Sequence, residues 1–552
     1  MRRAYRLCAL LLSVLMFFCA CGPNGTPVID DTTAPDQEDT TATQALAFPI
    51  APVDGAYSYT IIRKEEGPAA EREALLAIRR AMETVYGKGP MPETQYATAD
   101  LTEEQIAQRV EILVGNTGRP ESEAVYAALG ENEYTIRTVG NKLVVLGKND
   151  ALTTFAVHAF ESMIQSKPQT LKEGYNMTDS YIAGEFSGTF KFDDLGYKRI
   201  DDIHFETREG VDGAEILYLT SLTHHHTYGY YSNNAWATGD VIILARSARE
   251  NPVDFGAAAL IAVDVYREKA WDLGVTAQSY SDFVVDGELI YYITNGRNDL
   301  RCFNMLTKSD HLVAQVSGMS FPHITANGSH INVSRHVGGL DTGTVIDVKT
   351  GETYNIMEIR FEEPYPIANH HMICPTDPTV MFFSHEGTTT DIPDRLWIGK
   401  LGEEPYNIAY QRTNDAGKPI DCFGHEFWAP DGKGLYFVKY SCSPSSPKGV
   451  CYVSLDDIEH PEVLYSKFPY WHVSCSPDER YIVSDTQSGG FSGVCLIDTE
   501  TDEEVMLYRA QTYNWTHPAH PHPCVNTTSD IVCFNDYNTE NGKVSVGFYM
   551  IK

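Results

Sequence analysis

Seven short apolar runs recur through the last two thirds of the chain at a spacing of roughly 40–55 residues, most of them opening on a tight-turn pair. They are Gly239-Asp240-Val-Ile-Ile-Leu244, Asp286-Gly-Glu-Leu-Ile-Tyr-Tyr-Ile293, Asn327-Gly-Ser-His-Ile-Asn-Val333, Asp377-Pro-Thr-Val-Met-Phe-Phe383, Asp431-Gly-Lys-Gly-Leu-Tyr-Phe-Val438, Asp478-Glu-Arg-Tyr-Ile-Val483 and Ser529-Asp-Ile-Val-Cys-Phe534. Each leads on to a second strand, as in Gly343-Thr-Val-Ile-Asp347 or Gly493-Val-Cys-Leu-Ile-Asp498. One four-stranded blade fits that period, so seven starts predict a seven-bladed β-propeller over 190–552. A pair of β-sandwiches leaves seven similar units unexplained. The early run Glu215-Ile-Leu-Tyr-Leu219 is expected to pair with the C-terminal strand and close the ring.

The pattern before the propeller is different. Over 69–85 the apolar residues Leu75, Leu76, Ile78, Ala81, Met82 and Val85 fall at helical spacing, and 121–129 and 151–165 also read as helix. Glu111-Ile-Leu-Val-Gly115 reads as a short strand. The strands 134–139 and 142–146 flank Gly140-Asn141, a hairpin signal. Residues 46–185 are therefore expected to form an α/β domain. The whole is a multidomain chain, an N-terminal α/β domain followed by an all-β propeller.

The first 45 residues are expected to lie outside both. Arg2, Arg3 and Arg6 precede the apolar run 10–18, which is too short to span a bilayer and ends in Cys19-Ala-Cys21-Gly22. Residues 1–21 read as a secretory signal resembling that of bacterial lipoproteins, with Cys21 as the lipidated residue. Residues 22–45, rich in Thr, Asp, Pro and Ala, cannot bury enough surface to fold and read as a tether. The expected location is exported and membrane-anchored. The net charge of −33 argues against nucleic acid as a partner. Nine cysteines beyond Cys21, mostly in apolar runs, read as small core residues, although Cys442 and Cys451 flank a loop and could pair.

Histidine is the commonest nitrogen ligand for transition metals and the commonest base near neutral pH. Ser384-His385-Glu386-Gly387, Gly424-His425-Glu426-Phe-Trp428 and His517-Pro-Ala-His520-Pro-His522-Pro523 carry a series of them. Proline keeps the last segment out of a helix, so it is expected to be an extended loop presenting several imidazoles to one point. His370, His385, His425, His472 and the 517–522 group lie at or between strand ends in successive repeats, which makes a shared site at one end of the propeller. His323 and His336 read as structural residues. His224-His225-His226 reads as a surface loop near the channel mouth, and Tyr228, Tyr230 and Tyr231 as either sugar-stacking or blade-packing residues.

Two stretches resemble known families. Glu111–Ser122 resembles the α/β accessory domain that precedes the catalytic domain in several glycoside hydrolases. Asn369-His370-His-Met-Ile-Cys-Pro-Thr-Asp-Pro378, Phe382-Phe-Ser-His385-Glu-Gly387, Asp394-Arg395-Leu-Trp397, Gly424-His425-Glu-Phe-Trp428 and His520-Pro-His522-Pro523 resemble, in order, the signature of oligogalacturonate lyases of polysaccharide lyase family 22. The resemblance implies a seven-bladed propeller that degrades pectin-derived acidic oligosaccharides by β-elimination with a divalent metal, usually manganese. It implies His425, His520 and His522 as metal ligands, His385 as the base, and His370 in the substrate site. Arg360 falls at the distance of an assisting arginine, Arg395 is assigned to structure or substrate, and His472, which matches a histidine near the channel, is assigned to substrate. The family's glutamine three residues before the His-Pro-His-Pro element is His517 here. A further imidazole shifts ligand preference toward zinc or nickel. A lyase for another uronate glycan and a non-catalytic, surface-tethered glycan-binding or sensing propeller are the other readings.

Overall fold

The computed structural model describes residues 47–552, except 185, 187, 194 and 488–490, and the described chain forms one compact unit. The signal, the tether and Cys21 lie outside the described residues. No helix among them is long and apolar enough to cross a membrane.

A six-stranded mixed sheet comes first, in the order Met91–Thr94, Thr60–Arg63, Glu111–Val114, Lys142–Gly147, Glu133–Val139, Asn176–Ser180. The first four pair in parallel and the last two antiparallel, with Gly140 (φ 57°) turning the hairpin. Helices Ala69–Tyr86 and Asp150–Ile164 cover one face, packing Ile78, Met82 and Phe160 on Ile61, Ile112 and Val145. Helix Pro120–Ala128 covers the other through Val125 against Leu113 and Val144. Burial on both faces explains why Glu111-Ile-Leu-Val114 shows no alternation.

Seven antiparallel sheets follow as the blades of a propeller. Glu215–Thr220 pairs with Lys543–Met550, setting Ile216 opposite Tyr549 and Leu217 opposite Phe548, so the two ends of the propeller share the seventh blade and close the ring. The seven recurrent runs are the second strands of the blades. Neighbouring blades cover both of their faces, so they read as continuous apolar stretches, and Val241-Ile-Ile-Leu244 and Ile531-Val-Cys-Phe534 are fully buried. Eight of the nine described cysteines are buried and all nine are free; Cys442 is exposed beside Cys422, and Cys451 points its thiol at the Gly449 carbonyl, so the Cys442–Cys451 pairing does not form.

The innermost strands set up the site. In blades three to six they are Ser320–Ile324, Ile367–Cys374, Phe423–Trp428 and Tyr470–Cys475, and each carries a register shift. A β-bulge re-aims a side chain toward the channel. Five positions before equivalent turn residues Ala326, Pro375, Pro430, Pro477 and Thr527 stand Phe321, His370, His425, His472 and His522. Four of these take left-handed backbone, with φ of 49° at Phe321, 54° at His370, 53° at His425 and 47° at His522. A non-glycine residue there costs on the order of 1–3 kcal/mol, and such strain collects at functional sites.

The channel is not open. Between His225–Thr227 and Val241–Ser247 of blade one the chain crosses it. Tyr228 donates to the Pro521 carbonyl at 3.0 Å, Tyr231 to the Glu426 carbonyl at 3.0 Å, and Asn233 to the Ser281 and Phe283 carbonyls at 3.3 Å. One short segment thereby ties blades seven, five and two together. Tyr228 and Tyr231 are buried, and Tyr230 lines the cleft beside the imidazole cluster. His225 and His226 are fully buried in the innermost strand of blade one, not in a surface loop, because that strand is covered by the channel segment and by its neighbours. His224 alone reaches the edge, against Asp202 and Arg246.

Candidate metal centre and adjoining cleft

Blades five, six and seven bring five imidazoles together. The potential ligand atoms of His472, His520 and His522 all lie within 4.8 Å of one another. The His425 ring centre is 3.9 Å from that of His472, and His517 is 4.4 Å from His520 and 4.5 Å from His522. His472, His520 and His522 are buried, and His517 stands exposed at the mouth.

The hydrogen bonds fix which nitrogen each ring offers. A carbonyl only accepts, so the ring atom facing it carries the proton. His520 Nδ1 donates to the Thr516 carbonyl at 3.1 Å, and His425 Nδ1 to the Trp471 carbonyl at 2.9 Å with the Tyr440 hydroxyl also 2.9 Å away. His472 Nδ1 faces both oxygens of Asp485 at 2.9 Å. The Nε2 lone pairs of all three are left over. His472 Nε2, His520 Nε2 and both His522 nitrogens are buried without a partner. The carboxylate or carbonyl behind His425, His472 and His520 is the arrangement that orients metal-binding histidines.

Burial forces these rings to be neutral. It pulls His425 down to about 3, and holds His472, His520 and His522 well below the usual histidine range, with the neighbouring imidazoles adding repulsion. Neutral imidazole is the ligand form. Burial pushes the Asp485 carboxyl up to about 8, against two backbone donors, His472 and His522. A cation among the Nε2 atoms offsets both costs, since it satisfies the orphaned lone pairs and holds the carboxylate ionised. The residues present fit a divalent metal.

Beside the cluster opens a cleft of about 430 Å³ whose walls include Tyr230, His370, Glu386, Arg395, His425 and His517. Arg395 is buried and reaches two carboxylates, Glu426 Oε1 at 2.8 Å and Glu386 Oε2 at 3.1 Å. Glu426 Oε2 lies 3.2 Å from His370 Nδ1. Burial alone raises the Glu426 carboxyl, but Arg395 and His370 outweigh it and hold it well below the carboxylate range.

The sequence-derived candidates divide accordingly. The structure brings His425, His517, His520 and His522 near one another. His472, expected at the substrate, is instead 1% exposed and part of the imidazole cluster, since the bulge in its strand turns it inward. His370 and Arg395 line the cleft. His385 lies outside the cluster: its Nδ1 is 2.9 Å from Asp394, its Nε2 is 2.8 Å from the Tyr365 carbonyl, and its ring stacks on Phe361. Both partners are acceptors, so each ring nitrogen is already engaged in this arrangement. Arg360 is exposed and pairs with Glu363 at 2.8 Å, away from the cleft wall. Glu426, which faces His370, belongs to the His-Glu-Phe-Trp element, whereas Asp485, which faces His472, carries no signal in sequence beyond its place in the repeat.

No family model matches the chain. Over 140 residues it is 28% identical to an oligogalacturonate lyase of Dickeya dadantii, covering 25% of this chain and 33% of that one. Over 95 residues it is 28% identical to an oligogalacturonide lyase of Pectobacterium atrosepticum, covering 17% and 22%. The matched stretches thus span at most about a third of these relatives. Among solved structures, an oligogalacturonate lyase in complex with manganese superposes with a TM-score of 0.54 at 18% identity, over 64% of this chain and 98% of that one. An oligogalacturonate lyase of Vibrio parahaemolyticus gives 0.53 at 16%, over the same shares. The chain is therefore a seven-bladed propeller with the fold of oligogalacturonate lyases and a partial sequence likeness to them.

Proposed function

We propose that the chain is a metal-dependent lyase that cleaves uronate glycans of the oligogalacturonide kind by β-elimination, leaving a 4,5-unsaturated end. The observation that carries this reading is the set of orphaned imidazole nitrogens of His472, His520 and His522, within 4.8 Å of one another, beside a cleft that holds Arg395. The partial likeness to oligogalacturonate lyases supports the same reaction class.

His472, His520 and His522 would hold the metal, with His425 and His517 next to it. When bound, it supplies a positive charge against the uronate carboxylate, whose charge grows as the C5 proton leaves. An all-imidazole donor set favours zinc or nickel over the manganese held by the structural neighbour. Arg395 and His370 stand where an acidic oligosaccharide enters. The resemblance gives proton abstraction to His385 with Arg360 assisting; that role requires His385 to leave the Tyr365 carbonyl. Export and anchoring through Cys21 belong to the same proposal, and the mass of the mature N-terminus tests them.

The test of the reaction is ultraviolet absorbance of unsaturated product. Purified protein is incubated with manganese, zinc or nickel against a panel of uronate oligosaccharides, and product is expected on at least one. Tight sugar binding with no product on any of them would leave a non-catalytic binding propeller instead.

A further inference from the structure

We infer that Cys524 and Cys533 form a disulfide under oxidising conditions, and that this bond pins the loop 517–523, with its metal-type histidines, to blade seven. The pinning role rests on the metal centre proposed above; the disulfide itself does not.

The two cysteines stand directly opposite each other in the antiparallel strands Cys524–Val525 and Ile531–Asn538. Residues paired in this way have Cα atoms about 4.5–5.5 Å apart, inside the window of roughly 4.4–6.8 Å that a disulfide spans. Both thiols are free here, and their Sγ atoms lie 3.1 Å apart, so the bond needs only a small side-chain shift. Cys533 is fully buried. Cys524 is 8% exposed and lines a cavity of about 290 Å³ walled by the turn residues Pro375, Pro430 and Pro477, which gives a small reagent a way in.

The place of the pair gives the bond its consequence. Cys524 follows His522 by two positions. The innermost strand of blade seven has two residues, against six in each of blades five and six, so the segment carrying His520 and His522 enters its sheet with little ladder to hold it. Single hydrogen bonds do the rest, from Ser474 to the Pro523 carbonyl at 2.9 Å and from the Asn535 N–H to the Pro521 carbonyl at 2.8 Å. A covalent link at Cys524 holds the two imidazoles in place before a cation arrives, and such preorganisation raises affinity.

The oxidant is a small disulfide or a disulfide-exchange protein, which the proposed export would supply. One cysteine sulfur attacks it as thiolate and displaces one thiol; the second cysteine then attacks the mixed disulfide and displaces the other. Two electrons and two protons pass from the pair to the oxidant.

The experiment uses the full chain carrying Cys442→Ser, which removes the exposed thiol beside Cys422. One half is treated with bis(2-hydroxyethyl) disulfide and the other with a phosphine reductant. Reagents are removed, and samples are alkylated after denaturation and digested with trypsin. Peptide 510–543 contains both cysteines. It should take up no alkyl group and carry no adduct after oxidation, and take up two alkyl groups after reduction. Two alkyl groups in both samples, or an adduct on each sulfur, would overturn the disulfide. The native oxidised chain should melt about 2–3 °C above the reduced one, as expected for closing a loop of roughly ten residues. In a chelator competition it should hold zinc about tenfold more tightly. Cys533→Ser exposed to the oxidant should match the reduced chain in both. Equal zinc affinity in the two states would overturn the pinning role. No zinc in either state, with the disulfide present, would instead overturn the metal-centre reading and leave the disulfide standing.

Discussion

Replacing Arg395 by methionine removes a guanidinium that serves two carboxylates from inside the protein. Arg395 is 5% exposed and Glu426 is fully buried, so the substitution leaves a desolvated carboxylate with only His370 against it. Breaking one side of a buried pair costs about 3–5 kcal/mol. An ordered chain of about 500 residues unfolds with about 2.1 cal/mol/K per residue, roughly 1 kcal/mol/K in all, so Arg395→Met should melt about 3–5 °C below wild type. Replacing both partners removes the unpaired charge, and R395M/E426L should recover most of the loss. The assay is calorimetry at one scan rate and one metal load, since a bound ligand shifts the melting temperature. Glu386 is about one-third exposed and can be solvated, so it should not confound the cycle. A wild-type melting temperature in Arg395→Met, or a double variant that falls by the sum of the singles, would refute the account of this pair as a coupled, buried unit.

Three other outcomes are expected. Burial pulls His226 and His323 down to about 3 and His225 and His371 to about 4, so each is neutral in the fold and takes up a proton on unfolding below about pH 6.5. Their stabilisation is complete above that pH and is lost as pH falls, by about 1.4 kcal/mol per pH unit for each; a melting temperature unchanged from pH 7 to pH 5 would contradict this. A Cβ at Gly547 would run into the Phe534 ring inside the closing blade, so Gly547→Ala should cost about 1–3 kcal/mol, read as a drop of a few degrees in melting temperature. Of the nine described cysteines only Cys442 is exposed, and thiol labelling of the native protein, mapped by mass spectrometry, should modify it first.

The blades could be read from sequence because their signal is local. A turn pair followed by a continuous apolar run is written into each second strand, and the run Glu215–Leu219 announced its pairing with the last strand by its composition. The helices before the propeller were equally visible, since 69–85 shows its period within one segment and the helix spans Ala69–Tyr86. His224-His225-His226 reads as a loop because three polar residues look like one, whereas His225 and His226 lie in a buried innermost strand. No motif surrounds His472 to announce its place in the cluster. Its fixed offset of five residues before the turn at Pro477, shared with His370, His425 and His522, was the signal available. His385 sits in a recognisable element, yet which acceptors surround its ring depends on Tyr365 and Asp394, and no sequence pattern reports that.

The central claim is that histidines from successive blades form one metal centre, and metal content after equilibration with equal manganese, zinc and nickel tests it most directly. One metal per chain is expected, zinc or nickel in preference to manganese, lost in both His472→Ala and His522→Ala while the melting transition persists. A wild-type chain that holds no metal, or variants that both keep a full equivalent, would contradict it.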